Sequence, residues 1–502
     1  MDLLGHLATG FGVALTPYNL VYALAGALVG TLIGVLPGIG PVATIAMLLP
    51  ITYGMPPVSA LIMLAGIYYG AQYGGSTTSI LLNMPGETSS AVTCLDGYQM
   101  ARKGQAGAAL AIAALGSFFA GCVSTVFVAT VAIPLSELAL KFGPAEYCSL
   151  MTLGLIGSVV LAHGSLLKAI AMVVLGLLLG IVGTDVNSGT ARFAFGIPQL
   201  IDGIGVVSVA MGLFGFAEII SNLESDEKRE LIRTKVRTLW LTKEQFKEAW
   251  PAVLRGTGLG SMLGVLPGGG ALLASFASYA VEKKVASDPT RFGKGAIQGV
   301  AGPESANNAG AQTSFIPLLT LGIPENAVMA MMVGAMTIHN IQPGPQVMSS
   351  NPALFWGLVT SMWVGNLMLV VLNLPLIGIW IKLLQVPYRV LYPAILLFCS
   401  IGVYTVSNEP FDVLQTAIFG ALGIMFLKLE CEPAPLLLGF VLGPMMEENL
   451  RRALLLSRGD PTVFVTRPIS LTLLLAAVAL LILIALPNLR KKREEAFAEA
   501  EA

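Results

Sequence analysis

The chain has 502 residues; 55% are hydrophobic, 11% are charged, and the formal net charge is −1. A soluble domain carries about 25% charged residues, so these proportions exclude an ordinary water-soluble fold. The balanced charge also excludes a basic face for nucleic acid and an acidic interaction tail.

Residues 3–86 contain no Asp, Glu, Lys or Arg. Such a stretch cannot build a wetted surface, whereas the lipid-facing surface in a bilayer should be apolar. The N-terminus has neither a basic n-region nor an A-x-A site, so no cleaved signal peptide is expected. A spanning helix needs about 20 mostly apolar residues. In chain order the candidates are 57–83, 104–133, 145–162, 166–185, 201–220, 352–381, 388–406, 411–428 and 469–487, with 433–450 a weaker one. Residues 295–338 are apolar but punctuated by Pro, Gly and Asn, which predicts broken helices. The five cysteines, Cys94, Cys122, Cys148, Cys399 and Cys431, show no CxxC spacing and read as small core residues.

Three charged segments divide the chain. Residues 224–248 carry seven Lys/Arg and six acids; 282–294 carry Lys283, Lys284, Arg291 and Lys294; the tail holds Arg490, Lys491, Lys492 and Arg493. Positive charge marks the cytoplasmic side. Residues 250–281 then begin and end on that side, with Pro267-Gly268-Gly269-Gly270 between, which predicts a re-entrant hairpin with a glycine tip.

The two halves match in order. Gly34-Val35-Leu36-Pro37-Gly38-Ile39-Gly40 corresponds to Gly264-Val265-Leu266-Pro267-Gly268-Gly269-Gly270, Thr78-Ser79 to Thr313-Ser314, and Pro85-Gly86-Glu87 to Pro324-Glu325-Asn326. Gly121, Gly157 and Gly176 correspond to Gly365, Gly402 and Gly420. The Lys/Arg-rich stretch 282–294 aligns with 50–58, which has none, and Arg102 and Lys103 align with a Lys/Arg-free stretch near 341–351. Opposite bias at equivalent loops predicts inverted repeats. The expected fold is an all-α polytopic membrane protein of about 10–12 segments in two inverted repeats with glycine-tipped, re-entrant hairpins. Its expected parts are a membrane repeat at 1–223, a charged cytoplasmic linker at 224–248, a second repeat at 249–465, and a final helix and tail at 466–502. Arg451, Arg452, Arg458 and Arg467 break the charge bias if 433–450 crosses.

The densest chemical signal is Gly75-Ser76-Thr77-Thr78-Ser79 in a charge-free apolar run. Its counterpart is Glu304-Ser305-Ala306-Asn307-Asn308, then Thr313-Ser314. Hydroxyls can simply bond back to the preceding turn. Together with amides and freed backbone N–H groups they can instead bind an anion, and polar groups at membrane depth are functional by default. Candidate substrate residues are therefore Gly75, Ser76, Thr77, Thr78, Ser79, Ser305, Asn307, Asn308, Thr313 and Ser314. The glycine tips are tight turns, or expose carbonyls that coordinate Na⁺. Candidate ion-coupling residues are Gly38, Gly40, Gly268, Gly270, Glu304 and Asn326. Ionised Glu304 cannot assist an anion and falls to the cation or to a structural cap. His339 is a proton relay or a satisfied structural residue; His6 and His163 have no convergent partners in sequence. There is no HExxH, no GxxxxGK[ST] and no GxSxG. Uphill transport would then draw on an ion gradient or another subunit.

Segments 68–87, 96–110, 264–283, 299–345 and 433–459, the last with Glu432-Pro433-Ala434-Pro435 just before it and Gly443-Pro444-Met445-Met446-Glu447-Glu448 within it, resemble the large membrane subunit of the tripartite tricarboxylate transporter family. The resemblance implies a multi-pass permease of the bacterial inner membrane. It further implies a small membrane partner of about four helices, a periplasmic substrate-binding protein, and uptake of citrate or another di- or tricarboxylate. It implies no cofactor and a coupling ion that is Na⁺ or H⁺. A membrane-embedded enzyme using the hydroxyl cluster and His339, and a passive anion channel, are the rival readings. The charge reading predicts that single cysteines at positions 226, 288 and 495 react only with cytoplasmic-side reagents; periplasmic labelling at 288 would remove the hairpin.

Overall fold

The structure is a computed structural model that describes residues 3–36, 40–162, 165–185, 188–224, 239–266, 270–384 and 388–485. It is built almost wholly of helices, and among the described residues the two strands are Gly183–Thr184 and Ala191–Arg192, paired antiparallel. Prolines open many helices, among them Pro17–Val35, Pro41–Thr52, Pro57–Leu82, Pro144–Leu161, Pro352–Asn373 and Pro410–Lys428. At that position the missing N–H would have no intrahelical acceptor, and φ is already helical.

Among the described residues, four helices are long and apolar enough to cross a membrane: Pro17–Val35, Ala106–Ala139, Pro352–Asn373 and Pro410–Lys428. Shorter apolar helices include Leu166–Gly180, Val206–Ser221 and Pro468–Ile482. The expected break-up of 295–338 is present, as Gln298–Thr313, Phe315–Leu321 and Ala327–Ile338. The candidate 352–381 is split into Pro352–Asn373 and Ile377–Leu383. The weak candidate 433–450 is one helix, Ala434–Leu456.

Two helices form the centre. Every residue from Ser59 to Leu82 is buried, and so is every residue from Gly299 to Thr313. Neither helix presents a lipid face, which is why both can be polar. Small residues bring their neighbours against them. A Cβ on Gly26, Gly30 or Gly34 would lie 2.2, 2.4 or 2.3 Å from the carbonyl oxygen of Met63, Ile67 or Ala71. On Lys243–Leu263 and just after it the same ladder recurs: a Cβ on Gly256, Gly260 or Gly264 would lie 2.2, 2.3 or 2.5 Å from the carbonyl oxygen of Gly302, Ala306 or Gly310. Only glycine fits such a contact, and small residues at four-residue spacing are how helices close on one another without a hydrophobic drive.

The pairings also exchange between halves. Pro57–Leu82 packs on Pro352–Asn373, while Gln298–Thr313 packs on Ala106–Ala139. Gly176 lies against the Leu436 carbonyl, and Gly420 against Phe216. The ladders correct one detail of the sequence match. Ala71 and Gly310 meet equivalent glycines, and Asn83 and Gly322 are both left-handed helix ends before Pro85 and Pro324. In that register Thr313 takes the place of Gly74, so the two hydroxyl pairs are offset by about one helical turn. The sequence match had aligned the residue types rather than the caps.

The arginines that broke the charge bias are largely neutralised. Arg451 pairs with Asp185 at 3.0 Å and with Glu447 at 2.6 Å, Arg452 pairs with Glu448, and Arg467 with the buried Glu146 at 2.5 Å. At another cluster Arg255 grips Glu282 through two bonds of 2.8 and 2.6 Å. Asp96 accepts from the amides of Gly295 and Ala296 at 2.7 Å and from Tyr279 at 3.0 Å, which fixes the chain just before Gln298–Thr313.

The ladders can be tested directly. Gly30→Ala and Gly260→Ala should each lower the thermal stability of the purified protein, since overpacking costs about 1–3 kcal/mol. Gly258→Ala, which has open space around it, should unfold with wild type.

Candidate functional site

The polar centre forms where the two buried helices meet. Glu304 is completely buried. It stands one residue after Pro303, whose ring nitrogen leaves a turn of helix Gln298–Thr313 without its usual donor. Residues 304, 307 and 308 share one face at helical spacing. One carboxylate oxygen accepts from Ser76 on Pro57–Leu82, the other from Thr93 on the short helix Ala91–Thr93. Asn307 Nδ2 donates to the first oxygen at 3.3 Å. The Glu304 backbone carbonyl accepts from Ser117 at 3.2 Å and from Asn308 at 3.0 Å, and Asn308 also donates to Ser117 at 2.7 Å. Gly116 admits this contact, because a Cβ there would lie 2.8 Å from Ser305 Oγ. Among the described residues no Lys, Arg or His touches Glu304. The carboxylate is held entirely by neutral donors.

A narrow cleft adjoins this centre, lined by Tyr73, Ser76, Thr77, Leu110, Ala113, Ala114, Ser117 and Asn373. Tyr73 donates to Asn366 at 3.2 Å, and Asn373 to Thr31 at 3.3 Å. Several buried polar atoms here and nearby have no partner: Asn308 Oδ1, Asn373 Oδ1, Gln72 Nε2 and both ends of the Gln312 amide. Native interiors hold few such atoms, and each calls for a ligand, a water or a second conformation.

The other expected residues divide. Thr78 donates to the carbonyls of Gly34 and Val35 at 3.1 and 3.2 Å, and Thr313 to those of Ala309 and Gly310 at 3.0 and 3.3 Å. Ser305 and Ser314 bond back to Ala301 and Gly310 at 2.7 and 2.8 Å. Ser79 donates to Ser90 at 3.0 Å, and Gly75 lies against Glu87 and Ser90. So Ser76, Asn307 and Asn308 converge with Glu304, Thr77 joins them at the cleft, Thr78 and Ser79 tie their helix to its neighbours, and Ser305, Thr313 and Ser314 bond back to their own turn.

At the tips, Gly38 and Gly268 lie outside the described residues. Gly40 starts Pro41–Thr52 with a carboxylate oxygen of Glu218 near it, and the Gly270 amide donates to buried Glu325. A carboxylate beside each of these helix starts suits the partial positive charge there. Asn326 donates to Glu325 at 2.6 Å and to Tyr68 at 3.1 Å, and its own oxygen caps Ala327–Ile338. His339 ends that helix and takes no part in the Glu304 set; His163 is outside the described residues.

Tyr73, within the segment 68–87, and Glu325, within Pro324-Glu325-Asn326, belong to sequence motifs that gave them no role; Thr93, Ser117, Asn366, Asn373 and Glu218 lie outside the expected site residues. The available signal was a lone polar residue in an apolar run, as Ser117, Asn366 and Asn373 are. Thr93 gave none, because the three-residue helix that carries it has no periodicity.

The sequence profile of the tripartite tricarboxylate transporter TctA family matches residues 20–438. The chain belongs to this family. It is thus a transporter subunit of a multi-pass membrane type, as the resemblance implied. An Agrobacterium vitis protein described as "Uncharacterized 52.8 kDa protein in TAR-I ttuC' 3'region" is 60% identical over 501 residues, 100% of both chains. A second from the same organism, "Uncharacterized protein in TAR-II ttuC' 3'region", is 62% identical over 240 residues, 48% of this TctA-family chain and 99% of its own. No solved structure matches.

The geometry of the TctA-family centre ranks its hydroxyls. Hydrogen bonds to a charged group are worth about 1.5–3 kcal/mol, neutral ones about 0.5–1.5. Ser76→Ala and Thr93→Ala should therefore destabilise the purified subunit more than Ser305→Ala, whose hydroxyl serves only its own helix. Denaturation midpoints of the three variants measure the order.

Proposed function

We propose that this subunit is the permease of a binding-protein-dependent, ion-gradient-driven importer of di- or tricarboxylates such as citrate, working in the bacterial inner membrane. A small membrane subunit of about four helices and a periplasmic binding protein complete the system. The observation that carries the reading is the donor-rich centre between two buried polar helices, where the described residues place no Lys or Arg on Glu304. An anion leaving water needs several donors, or it loses several kcal/mol of hydration. Hydroxyls, amides and backbone N–H groups supply them without the grip of a bidentate arginine, which would oppose release.

The substrate site in this reading lies between 75–79 and 305–314, with the unpartnered amide of Gln312 as spare polar capacity. The halves act as inverted repeats that rock about that site. The opposite charge bias of equivalent loops, the repeated glycine ladders and the exchanged helix contacts support this arrangement. The coupling ion acts at Glu304 and the glycine tips, where Glu218 and Glu325 add carboxylates.

Labelled carboxylate uptake into liposomes containing both membrane subunits, with and without the binding protein and with Na⁺ and pH gradients varied separately, tests the reading. Gradient-dependent accumulation is expected; flux that persists after both gradients collapse would make it a channel. Ser76→Ala, Thr78→Ala, Asn308→Ala and Thr313→Ala should weaken uptake by severalfold to about a hundredfold at normal protein levels. Full transport by all four variants would move the site elsewhere.

A further inference from the structure

Two of the donors assigned to the substrate, on Ser76 and Asn307, are already in use. Ser76 and Asn307 both donate to Glu304, and Ser117, which lines the cleft with Ser76, donates to the backbone carbonyl of the same residue. A hydroxyl has one proton to give, so it cannot serve two carboxylates at once. Two anions a few ångströms apart in a dry interior also repel strongly. We infer that ionised Glu304 is an internal stand-in for the substrate, and that a proton on Glu304 is what releases the site to the incoming carboxylate. The inference rests on the carboxylate-import reading and names its coupling ion and its coupling residue.

The geometry favours a proton over a metal ion. Ser76 and Thr93 each make hydrogen-bond contact with one oxygen of the carboxylate, so a metal ion would first have to part them. A proton needs no room. It adds to one carboxylate oxygen, turns that oxygen from acceptor to donor, and removes the charge; the Ser76 hydroxyl is then free to turn to a substrate oxygen. Because each ligand favours the other, the proton and the anion bind and leave together.

Other ionisable groups face Glu304 and must be told apart from it. Tyr73 approaches from Pro57–Leu82, Glu87 from the turn after that helix, and Cys94 from the segment after Thr93. Glu282, against Gly302 on the same helix as Glu304, is already paired with Arg255. The second carboxylate to control for is therefore Glu87.

The test uses this chain with its small membrane subunit in lipid nanodiscs. Infrared difference spectra between about pH 8 and pH 5 should show, among the carbonyl bands of buried neutral acids, one component that is present in wild type, Glu87→Gln and Glu218→Gln and is lost in Glu304→Gln. Equilibrium binding of citrate, succinate, malate and tartrate is measured over the same range and corrected for each acid's own ionisation. The bound acid should tighten by up to about tenfold per pH unit of acidification in wild type and Glu87→Gln, and change less than about twofold in Glu304→Gln. Glu304→Asp, still titratable, should restore the slope. Binding with the same slope in wild type and Glu304→Gln, or an infrared difference spectrum that Glu304→Gln leaves unchanged, overturns this inference and leaves the carboxylate reading standing. Binding of none of the four acids at any pH overturns both.

Discussion

A buried carboxylate with no basic side chain bonded to it has to be solvated by neutral groups of the protein. That constraint organises the centre of this molecule. Glu304 is fully buried and is met by Ser76, Thr93 and Asn307, which come from three separate elements. Charge-assisted bonds from neutral donors replace hydration without fixing a counter-charge. Each donor must therefore be delivered within hydrogen-bond reach, which demands that the helices carrying them come very close.

Glycine makes that approach available. The ladders at Gly26, Gly30 and Gly34 and at Gly256, Gly260 and Gly264 let backbone meet backbone along both buried helices. With the flanking helices in place, the polar helices are shielded from lipid, and their serines, threonines and amides need only internal partners. Most have them: Thr78 and Thr313 bond to carbonyls of the tip-bearing helices or of their own turn. The few that do not, Asn308 Oδ1 and the Gln312 amide among them, mark where the packing leaves chemistry unspent.

Charge at the helix ends follows a different rule. Arg451, Arg452 and Arg467 are each matched by a carboxylate, as is Arg192 by Glu447 at 2.7 Å. Arg291, in the charged segment 282–294, is likewise paired, with Glu248. The arginine cluster near residue 451 is an ion-pair lattice joining helix Ala434–Leu456 to the strand pair at 183–192.

The sequence alone determined the membrane class, the broken character of 295–338, the ordered match of the halves and the residue types at the centre. Those follow from composition and local pattern, which act over a turn or two of chain: a charge-free stretch cannot be wetted, and a proline or glycine interrupts a helix wherever it stands. It also led to the TctA family through motifs legible residue by residue. Which hydroxyls converge was decided only by tertiary packing. Ser76 and Ser305 look alike in sequence, yet Ser76 donates to Glu304 across 228 positions of chain while Ser305 bonds back to its own helix. Thr93 and Ser117 reach the centre because Gly116 and the glycine ladders let neighbouring helices close, and a contact of that kind depends on distances between elements that no local spacing records. The one-turn offset between the hydroxyl pairs has the same origin: a match of residue types follows composition, whereas caps and carbonyl contacts follow the geometry that the folded helices impose.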